Sequence, residues 1–236
     1  MKTAGMVALP FADRAEAGRL LAERLAALQL PPPLVVLALL RGGVPVAAVV
    51  ARALNAPLEL LLVRKIGAPW NPELAVAAVV DGDPPQTVID EQTLAASGAG
   101  PAYVQRELPA ALREIARRRR LYLHDRAPRS LRGATAVVVD DGIATGTTAR
   151  AALRGVRLQG AAQVVLAVPV APAGTVAELA EEVDHLVCLA EPSPFGAVGR
   201  FYRDFHAVED DEVLAAMAAA ADDRHPSTAA DGASDD

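Results

Sequence analysis

Val137–Val138–Val139–Asp140–Asp141–Gly142–Ile143–Ala144–Thr145–Gly146–Thr147–Thr148–Ala149 is the stretch on which the fold turns. The β-branched run from Thr135 to Val139 reads as a buried strand, and a helix is predicted to begin at Thr148. Two adjacent carboxylates and a small turn of Gly and Thr lie between them. In an open parallel sheet, ligands bind beyond the carboxyl ends of the strands. A glycine-containing turn at a helix N-terminus offers backbone N–H groups and positive dipole potential, which together form a nest for phosphate. Asp140 and Asp141 would repel a bare phosphate. They suit a ligand that also carries hydroxyl groups or a divalent cation, as a ribose 5-phosphate does. The spacing matches neither the lysine-bearing mononucleotide loop nor the G-x-G-x-x-G dinucleotide turn.

The rest of the chain repeats the strand–loop–helix theme. Residues 13–29 carry Ala17, Leu20, Leu21, Leu25 and Leu28 at helical spacing, with Asp13 and Glu16 placed as a capping pair and Pro31–Pro33 as the stop. Leu34–Leu40 is an uninterrupted apolar run of the kind buried on both faces. Arg41–Gly42–Gly43 follows, then a helix opened by Pro45 and running to Leu54. Further strands are predicted at Leu58–Val63, Leu74–Val80, Val88–Asp90, Val164–Val170 and His185–Leu189. Helices are predicted over 101–122, Thr175–Glu182 and Asp210–Met217. This alternation implies an α/β fold with a mostly parallel central sheet flanked by helices and a small hood region. Residues 10–217 read as one domain and 218–236 as a disordered acidic tail.

The Val137–Ala149 segment resembles the signature of the type I phosphoribosyltransferases, which bind phosphoribosyl pyrophosphate (PRPP). The resemblance implies that Asp140 and Asp141 hold the ribose hydroxyls, that Ala144–Thr145–Gly146–Thr147–Thr148 wrap the 5-phosphate, and that Gly142 is among the PRPP-binding residues. Arg41–Gly42–Gly43 stands where that family places its diphosphate loop, in some members with a cis non-proline peptide. Val63–Arg64–Lys65–Ile66–Gly67–Ala68–Pro69–Trp70–Asn71–Pro72–Glu73 resembles the strand end and mobile loop of a little-characterised bacterial subgroup, with Arg64 or Lys65 available to the leaving pyrophosphate and Trp70 a lid or interface candidate. Glu191–Phe205 is similar to that subgroup too, which makes Phe195, Phe201 and Tyr202 acceptor-wall or core candidates. The chain departs from the subgroup at Leu40, where proline is usual, and after Tyr122, where glycines are expected.

The resemblance implies a Mg²⁺-dependent transferase in which a small acceptor, such as a nucleobase, displaces pyrophosphate from PRPP. Asp140, Asp141, Lys65 and Arg41 are then the catalytic candidates, and Asp140 and Asp141 the direct or indirect metal contacts. Two alternatives stay open at this point: a hydrolase of phosphoribosyl ligands, and a non-catalytic PRPP sensor.

Composition narrows the field. Hydrophobic residues make up 52% of the 236 and aromatic ones 3%, so the core is expected to be packed from Val, Leu and Ala. The formal charge of −6 and the short Arg117–Arg120 run argue against nucleic acid as a partner. Cys188 is the single cysteine, in an apolar stretch, and with the four histidines it makes no metal-ligand spacing. No apolar run reaches bilayer-spanning length and no secretory pattern opens the chain, so a cytoplasmic protein without a membrane partner is expected, with a homo-oligomer left open.

Overall fold

The computed structural model describes residues 7–124 and 128–222. In chain order the elements are α1 (Arg14–Ala26), β1 (Leu34–Leu39), α2 (Gly43–Ala53), β2 (Leu58–Leu61), β3 (Val63–Ala68), β4 (Asn71–Val80), β5 (Gln86–Ile89), α3 (Glu91–Ala96), α4 (Pro101–Leu123), β6 (Thr135–Val139), α5 (Thr147–Leu158), β7 (Gln163–Val170), α6 (Ala173–Ala180), β8 (His185–Ala190), a 3₁₀ turn (Val198–Phe201) and α7 (Asp210–Asp222).

The apolar runs become a five-stranded, wholly parallel sheet in the order β2-β1-β6-β7-β8. Alternate side chains feed two cores, as the pleat requires. Val36, Ala38, Val137 and Val139 pack with α1 and α2 on one face. Val35, Leu37, Ala136 and Val138 pack with α5 and α6 on the other. Burial on both faces explains why these strands carry no polar alternation. At the start of α1, Asp13 accepts a hydrogen bond from the Glu16 amide at 2.7 Å, the cap that the sequence suggested.

A second sheet, antiparallel, runs in the order β3-β4-β5. It corrects the single strand expected over Leu58–Val63. The chain leaves the parallel sheet after Leu61 because its neighbour β1 ends at Leu39, the partner of Leu61. With no strand left to pair with, the backbone turns and Val63 pairs with Val80 instead. Arg64 and Lys65 therefore lie inside β3 rather than in a loop after a strand. This sheet is pinned from two sides. The Tyr103 hydroxyl of α4 donates to the Gly67 carbonyl at 2.8 Å, and Gly155 of α5 sits so close to Val80 that an added Cβ would lie 2.6 Å from its side chain.

Two helix boundaries also shift. α2 begins at Gly43, two residues before Pro45, and the proline occupies a first-turn position where its missing N–H leaves no helix bond unmade. α7 continues through Asp222, past the Met217 limit, so residues 218–222 are helical and not part of a tail. The remainder of the expected tail, 223–236, lies outside the described residues.

Candidate active site

β1 and β6 are adjacent parallel strands, so the segments leaving their carboxyl ends meet. Glycine makes that meeting close. A Cβ on Gly42 would fall 2.0 Å from Asp141 Oδ2, and one on Gly43 would fall 2.7 Å from the Val139 carbonyl oxygen and 3.0 Å from Asp140 Cα. Gly42 has φ −59° and ψ −32°, a conformation open to any residue, so proximity and not torsion demands glycine there. The Leu40–Arg41 peptide is cis. Thus the two motifs, almost 100 positions apart in the chain, share one cleft floor.

The carboxylates are not equivalent. Asp140 Oδ1 accepts the Asp141 amide at 2.9 Å. Asp141 Oδ2 accepts Arg14 Nε at 2.9 Å, in an ion pair whose side chains are 12% and 7% exposed respectively. Burial pushes the Asp140 carboxyl well above the ordinary range, and the neighbouring Asp141 charge adds to the effect. Burial also raises Asp141, against the opposing pull of Arg14. A buried carboxylate pair of this kind gains from any cation or hydrogen-bond donor that reaches it.

Beyond them, Gly146 takes φ +75° as it caps α5, a left-handed conformation that glycine adopts without penalty. No side chain caps this helix. Thr145, Thr147 and Thr148 are exposed, with the first two hydroxyls 3.5 Å apart. Thr175 Oγ1 donates to the Ala144 carbonyl at 2.8 Å and ties the loop to α6. The loop is therefore open and fixed at one edge, with helix-terminal amides facing out: the geometry of an anion nest.

Three sequence candidates divide here. Lys65 lines a cavity of about 260 Å³ together with Thr145, Thr147 and Arg150, and its Nζ lies 3.7 Å from Glu73 Oε2. Arg64 is its neighbour on a strand and so points to the opposite face, away from that cavity. Arg41, at the head of the glycine pair, directs its guanidinium at the start of α7, 3.3 Å from Asp210 and 3.5 Å from Glu209. Asp210 is held in turn by the Tyr122 hydroxyl at 2.6 Å.

The aromatic candidates sort by burial. Tyr202 is buried against Phe11, stacks on Phe205 with centroids 5.0 Å apart, and donates its hydroxyl to the Asp141 carbonyl at 2.6 Å. It supports the acidic pair and cannot wall an acceptor pocket. Phe195 and Phe201 pack on each other at 5.0 Å. Trp70 is 64% exposed between β3 and β4, and its Nε1 donates to the Ser97 carbonyl at 2.9 Å. Cys188 is packed in β8, where burial pushes its thiol up to about 11 and disfavours the reactive thiolate.

Arg14 was not among the sequence candidates. A signal existed: a cation at the first position of a helix opposes the dipole, and the conflict asks for a compensating anion.

Among the described residues, no group of three or more His, Cys, Asp or Glu side chains is placed to hold a metal ion. The acidic pair does fit Mg²⁺ delivered with a diphosphate, since that ion commonly takes one or two carboxylates, substrate oxygens and water. No helix of the described residues is long and apolar enough to cross a membrane.

The family model for the phosphoribosyl transferase domain matches residues 14–203, a span that holds Arg14, both glycine-bearing loops, the acidic pair and Tyr202. Two Mycobacterium tuberculosis proteins, from strains H37Rv and CDC 1551, are 45% identical over 225 residues, and each bears the name "Putative phosphoribosyl transferase". The match covers 95% of this chain and 50% of each relative, so the chain spans about half their length. The crystal structure of TT1426 from Thermus thermophilus superposes with a TM-score of 0.77 at 43% identity, covering 89% of this chain and 98% of that one. With the parallel sheet, the acidic pair at its carboxyl edge and the uncapped glycine turn, these matches establish that the chain belongs to the phosphoribosyl transferase domain family.

Proposed function

We propose that the protein is a Mg²⁺-dependent phosphoribosyltransferase that binds PRPP in the cleft above β1 and β6 and passes its ribose 5-phosphate to a small acceptor. One observation carries the reading: a carboxylate pair, an uncapped anion nest and a glycine-lined loop converge on the carboxyl edge of two adjacent strands. The nest takes the 5-phosphate through backbone amides and the Thr145 and Thr147 hydroxyls. Asp140 and Asp141 face the ribose hydroxyls. The Leu40–Gly43 loop approaches the diphosphate closely because its glycines carry no side chain.

In the reaction, a lone pair on the acceptor bonds to the anomeric carbon. The bond from that carbon to the diphosphate oxygen breaks, its electrons depart with pyrophosphate, and the acceptor's proton passes to solvent. Bound Mg²⁺ would neutralise the diphosphate and help orient the sugar. Lys65 lines the same cavity as Thr145 and Thr147 and supplies a cation for developing negative charge. Arg41 supplies a second cation once the ligand competes successfully with Asp210 and Glu209. No covalent intermediate is required. Rate enhancement comes from positioning both reactants and from stabilising the leaving charge.

The test is pyrophosphate release from PRPP and Mg²⁺ across a panel of free bases, with a no-acceptor control and the Asp140→Asn/Asp141→Asn double variant. Release with one acceptor, lost in the double variant, is expected. Release without acceptor would make the protein a hydrolase. PRPP binding without release would make it a sensor, and absence of PRPP binding would reject the site.

A further inference from the structure

Arg14 begins α1 yet is only 6% exposed. A guanidinium taken out of water is costly unless its donors are met. Nε donates to Asp141 Oδ2 at 2.9 Å, a second nitrogen donates to the His206 carbonyl at 2.9 Å, and the guanidinium carbon lies 4.0 Å from the centre of the Phe205 ring. The segment that supplies the last two contacts is itself fastened to Asp141 through the Tyr202 hydroxyl. It is also stitched to the chain before α1: the Phe11 amide donates to the Phe201 carbonyl and the Arg203 amide to the Phe11 carbonyl. On the opposite side, Gly42 presses on the Asp141 carboxylate with no room for a methyl group. Asp141 therefore has one oxygen in a buried ion pair with Gly42 packed against its carboxyl group, whereas the protein's hold on Asp140 is a single amide on one oxygen.

We infer that Arg14 is a positioning residue: it ties one oxygen of Asp141 to the scaffold and leaves Asp140 as the less encumbered of the two carboxylates that face the ribose hydroxyls. The assignment rests on reading the cleft as a phosphoribosyl site, and it divides labour within a pair that the sequence presents as equal. Arg14 touches no ligand itself. It acts through Asp141 and, by way of the short Asp140–Asp141 link, on the aim of Asp140.

The experiment compares Arg14→Met, Arg14→Lys, Asp141→Asn and the Arg14→Met/Asp141→Asn double variant, by urea unfolding and by calorimetric titration with PRPP and Mg²⁺. Each variant that leaves one buried charge alone should lose at least roughly tenfold in its unfolding equilibrium. The double variant, with neither charge, should be more stable than either the Arg14→Met or the Asp141→Asn single variant. Arg14→Met should also weaken PRPP binding about tenfold or more at a temperature where it is fully folded, and Arg14→Lys should recover part of that loss. A purely structural arginine would cost stability and leave the affinity of the folded protein unchanged. The inference is overturned if the two stability losses simply add, or if folded Arg14→Met binds PRPP within twofold of wild type. Should Arg14→Met fail to fold, recovery of folding on adding Asp141→Asn upholds the pairing and continued failure rejects it. Wild-type protein that ignores PRPP would reject the transferase reading, and the stability coupling would then decide the Arg14–Asp141 assignment by itself.

Discussion

Replacing Gly42 with alanine adds one methyl group at the most crowded point of the cleft. The backbone there is right-handed helical, so torsion opposes nothing, and loss of glycine's freedom in the unfolded chain would by itself stabilise the protein by roughly 0.4–1 kcal/mol. Sterics reverse the sign. The new Cβ would stand 2.0 Å from Asp141 Oδ2 and 2.5 Å from its Cγ. If the carboxylate gives way, the 2.9 Å pair with Arg14 breaks, and an unpaired buried charge costs about 3–5 kcal/mol. If the loop retreats, the cost is that of overpacking, about 1–3 kcal/mol. The cheaper route governs, so a net loss of about 2 kcal/mol is expected, or roughly 4–8 °C in Tm for a chain of this size. PRPP affinity should fall as well, because either route moves a cleft wall. Urea unfolding followed by circular dichroism measures the first effect and calorimetric titration the second. The control is Gly42→Ala in an Asp141→Ala background, where the obstructing oxygens are gone and the same methyl should be neutral or slightly stabilising. A Gly42→Ala protein within 0.5 kcal/mol (about one-quarter of the expected loss) of wild type, or an equal loss in both backgrounds, would refute the reasoning.

Three further outcomes follow from the same geometry. Asp140→Asn keeps the acceptor for the Asp141 amide but removes a charge that burial disfavours, so the ligand-free protein should melt higher, by roughly 1 kcal/mol of stability, while PRPP binding is lost; a lower Tm would contradict the burial argument. Gly146→Ala forces a side chain into φ +75° with its Cβ 3.0 Å from Thr175 Cγ2, and should cost about 1 kcal/mol or more and weaken inorganic phosphate binding, read by urea unfolding and by phosphate titration. His206 bridges Glu212 and Asp204 at 3.0 Å each, and hydrogen bonds to Glu212 and then Asp204 raise its pKa above 6.5. A raised folded-state value means the stabilisation is full below the unfolded pKa and disappears as pH climbs through the folded one; the gap in Tm between wild type and His206→Gln should therefore narrow on going from mildly acidic to alkaline buffer, and a constant gap would remove the charge from the account.

Much of this was legible because local and global signals agree in the core. Thr135–Val139 could only be a doubly covered strand, since its residues are β-branched or small and none alternates with a charge. The acidic pair and the glycine turn after it needed no tertiary information either, as their chemistry is written in consecutive residues. The division between β2 and β3 was not legible. Leu58–Val63 is apolar but for Glu59 and carries no turn residue, so its break depends on where a different strand, β1, happens to end. The same holds for Arg41: its place beside two glycines suggested a phosphate contact, whereas its partners Glu209 and Asp210 lie nearly 170 residues further along. Arg14 was missed for the related reason that a helix-start arginine looks like solvent decoration until its carboxylate partner, 127 positions away, is folded against it.

These long-range pairings explain why the cleft needs the carboxyl-terminal segment, although its resemblance to the subgroup suggested an acceptor wall and not a support for the acidic pair. Tyr202, Phe205 and the His206 carbonyl all converge on Arg14 or Asp141. Glu209 and Asp210 hold Arg41 on the other rim. One stretch of nine residues thus touches both walls of the site, the one behind the acidic pair and the one at the Leu40–Gly43 loop. Its hold on the first is buried and well satisfied, so it fixes geometry. Its hold on the second is exposed and made at 3.3–3.5 Å, a kind of ion pair worth little in water and readily exchanged for a better anion. The asymmetry suits the proposed reaction, which would need a rigid floor under the ribose and a cation at the rim that a diphosphate could win from the protein's own acids.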